Sequence, residues 1–185
     1  MFRFCNALIL VLLVFSNVSA QEKAKQSSGG KTADSTKPAE ITWLRYDDGI
    51  KLAQEKGKHV LVDFVTKWCG YCKRMDRTTF VEPELVRMLN DNFVAIRVDA
   101  ESAQLLNVKG YKITERDLAA GEYQVRSYPA FWFLKPDGSK LGLLQGYRES
   151  GQFLEVLFFM KEKLYDKMTF DDYIKKGGRK AFSRG

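Results

Sequence analysis

The run Val60-Leu61-Val62-Asp63-Phe64-Val65 constrains this chain more than any other feature. It is nearly continuous in apolar, β-branched residues, the pattern of a strand buried on both faces, so it demands covering layers on either side. A short turn later come Cys69-Gly70-Tyr71-Cys72, and Lys73 to Phe80 reads as helical. The two cysteines are therefore expected at the junction of a buried strand and a helix.

The remaining segments fill in the layers. Ile41 to Leu44 is strand-like, and Asp47 or Asp48 is placed to cap a helix that runs to Lys56 and stops at Gly57. Pro83 suits a first helical residue, with Leu85, Val86 and Leu89 on one face. Phe93 to Val98 is the next strand, ending at Asp99; Glu101 to Lys112 reads as irregular, and Thr114 as the cap of a short helix to about Gly121. Ala130 to Leu134 is a strand, Pro136-Asp137-Gly138 a turn, and Lys140 to Gln145 the hairpin partner. A helix over Gly151 to Leu164 carries Phe153, Leu154, Val156, Leu157, Phe158 and Met160. Helices alternating with strands, followed by a terminal hairpin, predict an α/β domain with a mixed sheet covered on both faces.

A length of 185 residues with 45% hydrophobic content allows one filled core plus appendages. Residues 1–20 have the three-part layout of a secretory signal: Arg3, the apolar run Ala7 to Phe15, then Val18-Ser19-Ala20. The run is roughly half the ~20 residues that a membrane span needs. Residues 21–39 carry nothing apolar larger than alanine until the domain begins, and read as a flexible linker. The globular domain is placed at 40–164, and 165–185 is a basic C-terminal extension in which Asp171-Asp172 and Lys175-Lys176 support one more helical turn before Gly177-Gly178, its end from Lys175 read as solvated. The net charge of +7 is spread among 23 acids with no arginine-rich helix or zinc-finger spacing, which argues against a nucleic-acid partner.

Removal of a signal would take Cys5 with it and leave Cys69 and Cys72. A bond between them would close so short a loop that it takes little entropy from the unfolded chain, so a purely structural role is poorly motivated. Zinc wants four ligands, and one distant histidine, His59, does not complete the set. A helix N-terminus presents unpaired N–H groups and partial positive charge, which favour a thiolate. Cys69, at the start, is the expected exposed attacker and Cys72, one turn in, the resolving thiol. Lys73 and Arg74 add positive charge. A soft-metal carrier that holds Cu(I) between two thiolates is the alternative reading.

The stretch Val62-Asp63-Phe64 through Trp68-Cys69-Gly70-Tyr71-Cys72-Lys73 resembles the active-site region of thioredoxins. Tyr123-Gln124-Val125-Arg126-Ser127-Tyr128-Pro129-Ala130 resembles the segment in which that family places a cis-proline, and Gly138 and Gly146 fall where thioredoxins keep glycines. Ile41-Thr42-Trp43 with Thr79-Phe80-Val81-Glu82-Pro83-Glu84 is similar to the branch of periplasmic thioredoxin-like proteins and the C-terminal domain of the bacterial envelope disulfide reductase.

The resemblance implies a thioredoxin fold, with a central mixed five-stranded sheet flanked by helices, and an exported protein-disulfide oxidoreductase. It implies a cis Tyr128–Pro129 peptide packed on the cysteine pair, leaving nearby backbone groups to hold an extended substrate. Asp63 becomes the buried carboxylate beneath the motif; burial should raise its pKa toward neutrality, where it takes a proton from Cys72. Trp68, Gly70, Tyr71, Tyr128 and Pro129 are candidate substrate contacts, although Tyr71 reads equally as plain surface. No organic cofactor or metal is needed. Protein disulfides are the expected substrates, a membrane-bound or thioredoxin-like electron donor resets the pair, and a monomer is expected.

Two departures stand out. Ala95 occupies a position where many thioredoxins have a lysine near the buried carboxylate, and the connection from Asp99 to Pro129 is long, with extra residues over 102–114. Gly70-Tyr71 lacks the histidine of strongly oxidising relatives, which favours a reductant or mid-range exchanger within the roughly −120 to −270 mV of such dithiols.

Overall fold

The computed structural model describes residues 40–183, so the expected leader over 1–20 and linker over 21–39 lie outside the described residues. Helix α1 (Tyr46–Lys56) leads into strand β1 (His59–Val65), then α2 (Gly70–Thr78), α3 (Pro83–Asn92) and β2 (Phe93–Asp99). A two-stranded hairpin follows, β3 (Leu105–Val108) and β4 (Tyr111–Thr114), then the single turn α4 (Glu115–Asp117) and a π turn over Leu118–Glu122. Strands β5 (Ala130–Leu134) and β6 (Lys140–Gln145) precede α5 (Ser150–Lys161). The sheet runs β2-β1-β5-β6, with β1 parallel to β2 and the other pairs antiparallel. This is the thioredoxin fold.

Side chains alternate across β1 with a period of two, and this alternation places the site. Val60, Val62 and Phe64 face one layer, where Tyr46 and Ala53 of α1 join Leu106, Leu118 and Tyr123 from the Asp99–Pro129 connection. Leu61 faces the other, with Met75 of α2, Leu85 and Leu89 of α3, and Phe153 and Leu157 of α5. Asp63, two residues beyond Leu61, shares that second face and so points under α2. Each fully buried leucine or phenylalanine here contributes about 1.5–3 kcal/mol relative to exposure.

Local signals act as expected at several ends. Gly57 closes α1 in the left-handed conformation at φ 64°, its N–H donating to Ala53 O. Pro83 opens α3, and the Thr114 hydroxyl accepts from Asp117 N. Neither Asp47 nor Asp48 caps α1; both lie within its first turn, after Arg45.

Other expectations are also corrected. Among the described residues the sheet has four strands, not five: Ile41–Leu44 forms one parallel bridge, Leu44 to Ile96, before the chain turns into α1 at Tyr46. The stretch read as irregular holds the β3–β4 hairpin, whose turn residues Lys109 and Gly110 have φ of 50° and 88°. Positive φ at both positions is what a type I′ two-residue hairpin turn requires.

In the C-terminal extension the expected helical turn is present, and it is joined by two further turns and docked on the domain. A 3-10 turn, Leu164–Asp166, leads to α6 (Phe170–Lys175) and α7 (Arg179–Phe182). Tyr173 is fully buried among Phe158, Phe159, Phe170 and Phe182, and its hydroxyl donates to Glu155 Oε2 at 2.7 Å. Arg179 bonds Glu155 through its backbone N–H at 2.8 Å and pairs with Glu84. Burial of Tyr173 against the apolar outer side of α5, which carries Phe158 and Phe159, anchors the segment, while Lys175, Lys176 and Lys180 are exposed to solvent as expected.

Candidate active site

Cys69 and Cys72 are joined by a disulfide with S–S 2.08 Å at the mouth of α2. Cys69 is the N-cap: its backbone is extended, and its Sγ accepts from Cys72 N at 3.1 Å. The helix thus begins at Gly70, three residues before the expected Lys73, because a sulfur takes the part that a capping oxygen usually plays. In a reduced pair the same N–H and the positive helix end would stabilise negative charge on Cys69. The expected exposure of Cys69 is not seen in the bonded state: it is 3% exposed and Cys72 5%.

Asp63 is 1% exposed and pairs across the β1–β2 ladder with Arg97. Arg97 Nε and Nη2 both donate to Asp63 Oδ2, at 3.0 and 2.8 Å, and Nη2 also donates to Asp76 Oδ1 at 2.7 Å. Asp63 Oδ1 has no hydrogen-bond partner. Burial raises the Asp63 pKa to about 6; Arg97 opposes that rise without cancelling it, and Asp76 adds to it. Oδ1 is therefore a place where a proton can reside near neutral pH. Asp76 stands four residues after Cys72 on α2, so the network ties the buried carboxylate to the helix turn that follows the second cysteine.

Arg97 takes the balancing role that Ala95 leaves open, and residue-by-residue reading missed it. Its signal was a single charge in the apolar run Phe93 to Val98, mirroring the single charge in Val60 to Val65. The guanidinium also lies 4.1 Å from the centroid of the Trp43 ring, a contact that helps a partly desolvated cation.

Aromatic side chains border the disulfide. Trp68 is 67% exposed, so it is not core; its ring meets Tyr128 edge-on at 5.7 Å and its Nε1–H donates to Glu101 Oε1 at 2.9 Å. Burial, with the Glu101 and Asp99 carboxylates nearby, pushes the Tyr128 phenol above its usual range and keeps it protonated. Tyr71, 60% exposed, contacts Tyr147 at 5.9 Å, and Arg74 sits 4.7 Å over the Tyr147 ring. Gly70 is exposed and Pro129 buried. The Tyr128–Pro129 peptide is cis. Glu101 and Tyr147 were not singled out from the sequence, because their contacts come from segments distant in the chain.

The profile of the Thioredoxin-like domain family matches residues 46–161. Over 103 residues the chain is 31% identical to the thiol:disulfide interchange protein DsbD of Pseudomonas fluorescens, covering 56% of this chain and 15% of that protein. It is 28% identical over 108 residues to a protein disulfide-isomerase of Hordeum vulgare, covering 58% and 18%. The match thus spans less than a fifth of either relative's length. A thioredoxin from Thermus thermophilus superposes with a TM-score of 0.54 at 28% identity, covering 65% of this chain and 86% of that one. The chain belongs to the thioredoxin-like domain family.

Proposed function

We propose that this chain is an exported thiol–disulfide oxidoreductase that reduces or exchanges protein disulfides through Cys69 and Cys72. The observation that carries the reading is the Cys69–Cys72 bond at the start of α2, with the capping Sγ accepting the Cys72 N–H. In the reduced protein the Cys69 thiolate attacks one sulfur of a substrate disulfide, forming a mixed disulfide and releasing the other sulfur as a thiolate. Cys72 loses its proton toward Asp63 and attacks Cys69 Sγ, which frees the second substrate sulfur and restores the internal bond. Two electrons pass to the substrate. A dithiol protein, membrane-borne or thioredoxin-like, returns the pair to the reduced state; the similarity to DsbD supports such a donor.

Trp68, Gly70, Tyr71, Tyr128 and Pro129 form the surface on which substrate rests. Export rests on the leader-like residues 1–20 and on the kinship with DsbD. The working unit is the domain over 40–164 with its docked C-terminal segment, acting as a monomer.

Insulin reduction with dithiothreitol as donor tests the reading. The wild type is expected to reduce insulin, Cys69→Ser to be inert, and Cys72→Ser to accumulate mixed disulfides with partner proteins. A wild type that binds Cu(I) yet leaves insulin intact would overturn the proposal in favour of a metal carrier.

A further inference from the structure

We infer that the rim of the Cys69–Cys72 disulfide takes an extended protein segment whose cysteine is flanked by acidic side chains. The inference rests on the disulfide-exchange reading and adds a substrate class to it. Two aromatic pairs are built on residues that flank Cys69 in the chain: Trp68 with Tyr128, and Tyr71 with Tyr147. The first joins the turn before Cys69 to the segment entering β5. The second joins the first turn of α2 to the loop after β6. A ligand that meets both pairs continues past its own cysteine in both directions, which suits a polypeptide better than a small thiol.

Cations share this rim. Lys67, Lys73, Arg74 and Arg126 are exposed, and among the described residues none of them forms an ion pair. Lys73 directly follows Cys72, Lys67 directly precedes Trp68, and Arg126 lies just before the Ser127-Tyr128 step. Arg74 is held in place over the Tyr147 ring at 4.7 Å. Of the nearby acids, Asp76 is paired with Arg97 and the Glu149 side chain caps α5, while Glu101, which accepts from Trp68, and Asp99 lie near Tyr128 and offset part of this positive charge. An excess of positive charge raises the encounter rate with acidic ligands and suppresses that with basic ones, in a manner that salt screens.

In the transfer itself, Cys69 Sγ bonds to the flanked substrate sulfur and the partner sulfur leaves. Cys72 Sγ then displaces the flanked sulfur. The protein is oxidised to its disulfide while the substrate gains two electrons and two protons, and dithiothreitol re-reduces the protein.

Three disulfide peptides, identical except for aspartate, serine or lysine beside the cysteine, test the inference in single turnovers with the full-length protein, reduced and desalted. At low ionic strength the acidic peptide is expected to react at least about tenfold faster than the lysine peptide, with the gap closing at about 0.5 M salt. Lys73→Glu and, separately, Arg126→Glu should each cut the acidic-to-serine rate ratio at least about threefold. The serine peptide's rate corrects for any change in thiol chemistry. Equal rates, or a preference for lysine, would overturn the inference and leave exchange standing; no reaction with any peptide would overturn both.

Discussion

Arg97 reaches across the β1–β2 ladder and bonds Asp63 Oδ2 through two nitrogens, at 3.0 and 2.8 Å, while its Nη2 also holds Asp76 on the cysteine helix. One guanidinium thus serves a carboxylate that is almost wholly buried and another at the surface. Its planar fork allows this arrangement, and a lysine ammonium would not reproduce it.

Removing that cation should therefore cost more at high pH than at low pH. In Arg97→Met, Asp63 loses its opposing charge, so its pKa climbs above about 6. At pH 8 the variant is expected to lose about 3 kcal/mol of stability, as for a broken buried pair. At pH 4 Asp63 is largely protonated and the loss should shrink. Urea denaturation at the two pH values checks this, and equal losses would contradict it.

Asp63 itself should make the protein less stable as pH rises. Its folded pKa of about 6 lies above the ordinary value of 3.8, so between these the native state binds more protons than the unfolded state. Its contribution is full below pH 4 and falls away as pH passes 6, a change of about 3 kcal/mol. Asp63→Asn should flatten that window in the unfolding free energy of the oxidised protein. The same variant should slow release of mixed disulfide and remove the limb near pH 6 from the pH–rate profile.

Much of this arrangement was legible in the sequence because it rests on local rules. The buried strand, the cysteine pair at a helix mouth, Gly57, Pro83 and the β5–β6 hairpin are each specified by nearby residues. The β3–β4 hairpin was missed although Lys109-Gly110 lies between alternating apolar residues; lysine at a positive φ is a weaker cue than asparagine would be. The Arg97–Asp63 pair was missed because it depends on strand register, which aligns the two residues across the ladder. The docking of the C-terminal segment was missed because its apolar residues, Phe170, Tyr173 and Phe182, are spaced among charged ones.

That anchor can be tested by graded truncation. Tyr173→Phe keeps the ring and removes the bond to Glu155 Oε2, and should cost about 1 kcal/mol. Tyr173→Ala empties the pocket between Phe158, Phe159 and Phe182 and should cost about 3–5 kcal/mol. Chemical denaturation of the two variants measures the difference. Similar small losses would mean that the segment does not contribute to the core.

Gly49 marks a close approach between α1 and β2. A Cβ there would fall inside the van der Waals shell of Ile96 Cγ1 and Cδ1, in a layer that is already filled. Gly49→Ala is expected to destabilise by about 1–3 kcal/mol through overpacking, despite alanine's better helix propensity. Thermal unfolding reads this, and a raised melting temperature would contradict the packing.

The central claim is that the helix mouth makes Cys69 a ready nucleophile. Its most direct test is the rate of iodoacetamide alkylation of reduced Cys72→Ser protein between pH 4 and 10. The midpoint for Cys69 should lie well below the ~8.5 of a free thiol, leaving it largely ionised at pH 7. A midpoint at or above that of free cysteine would contradict the claim.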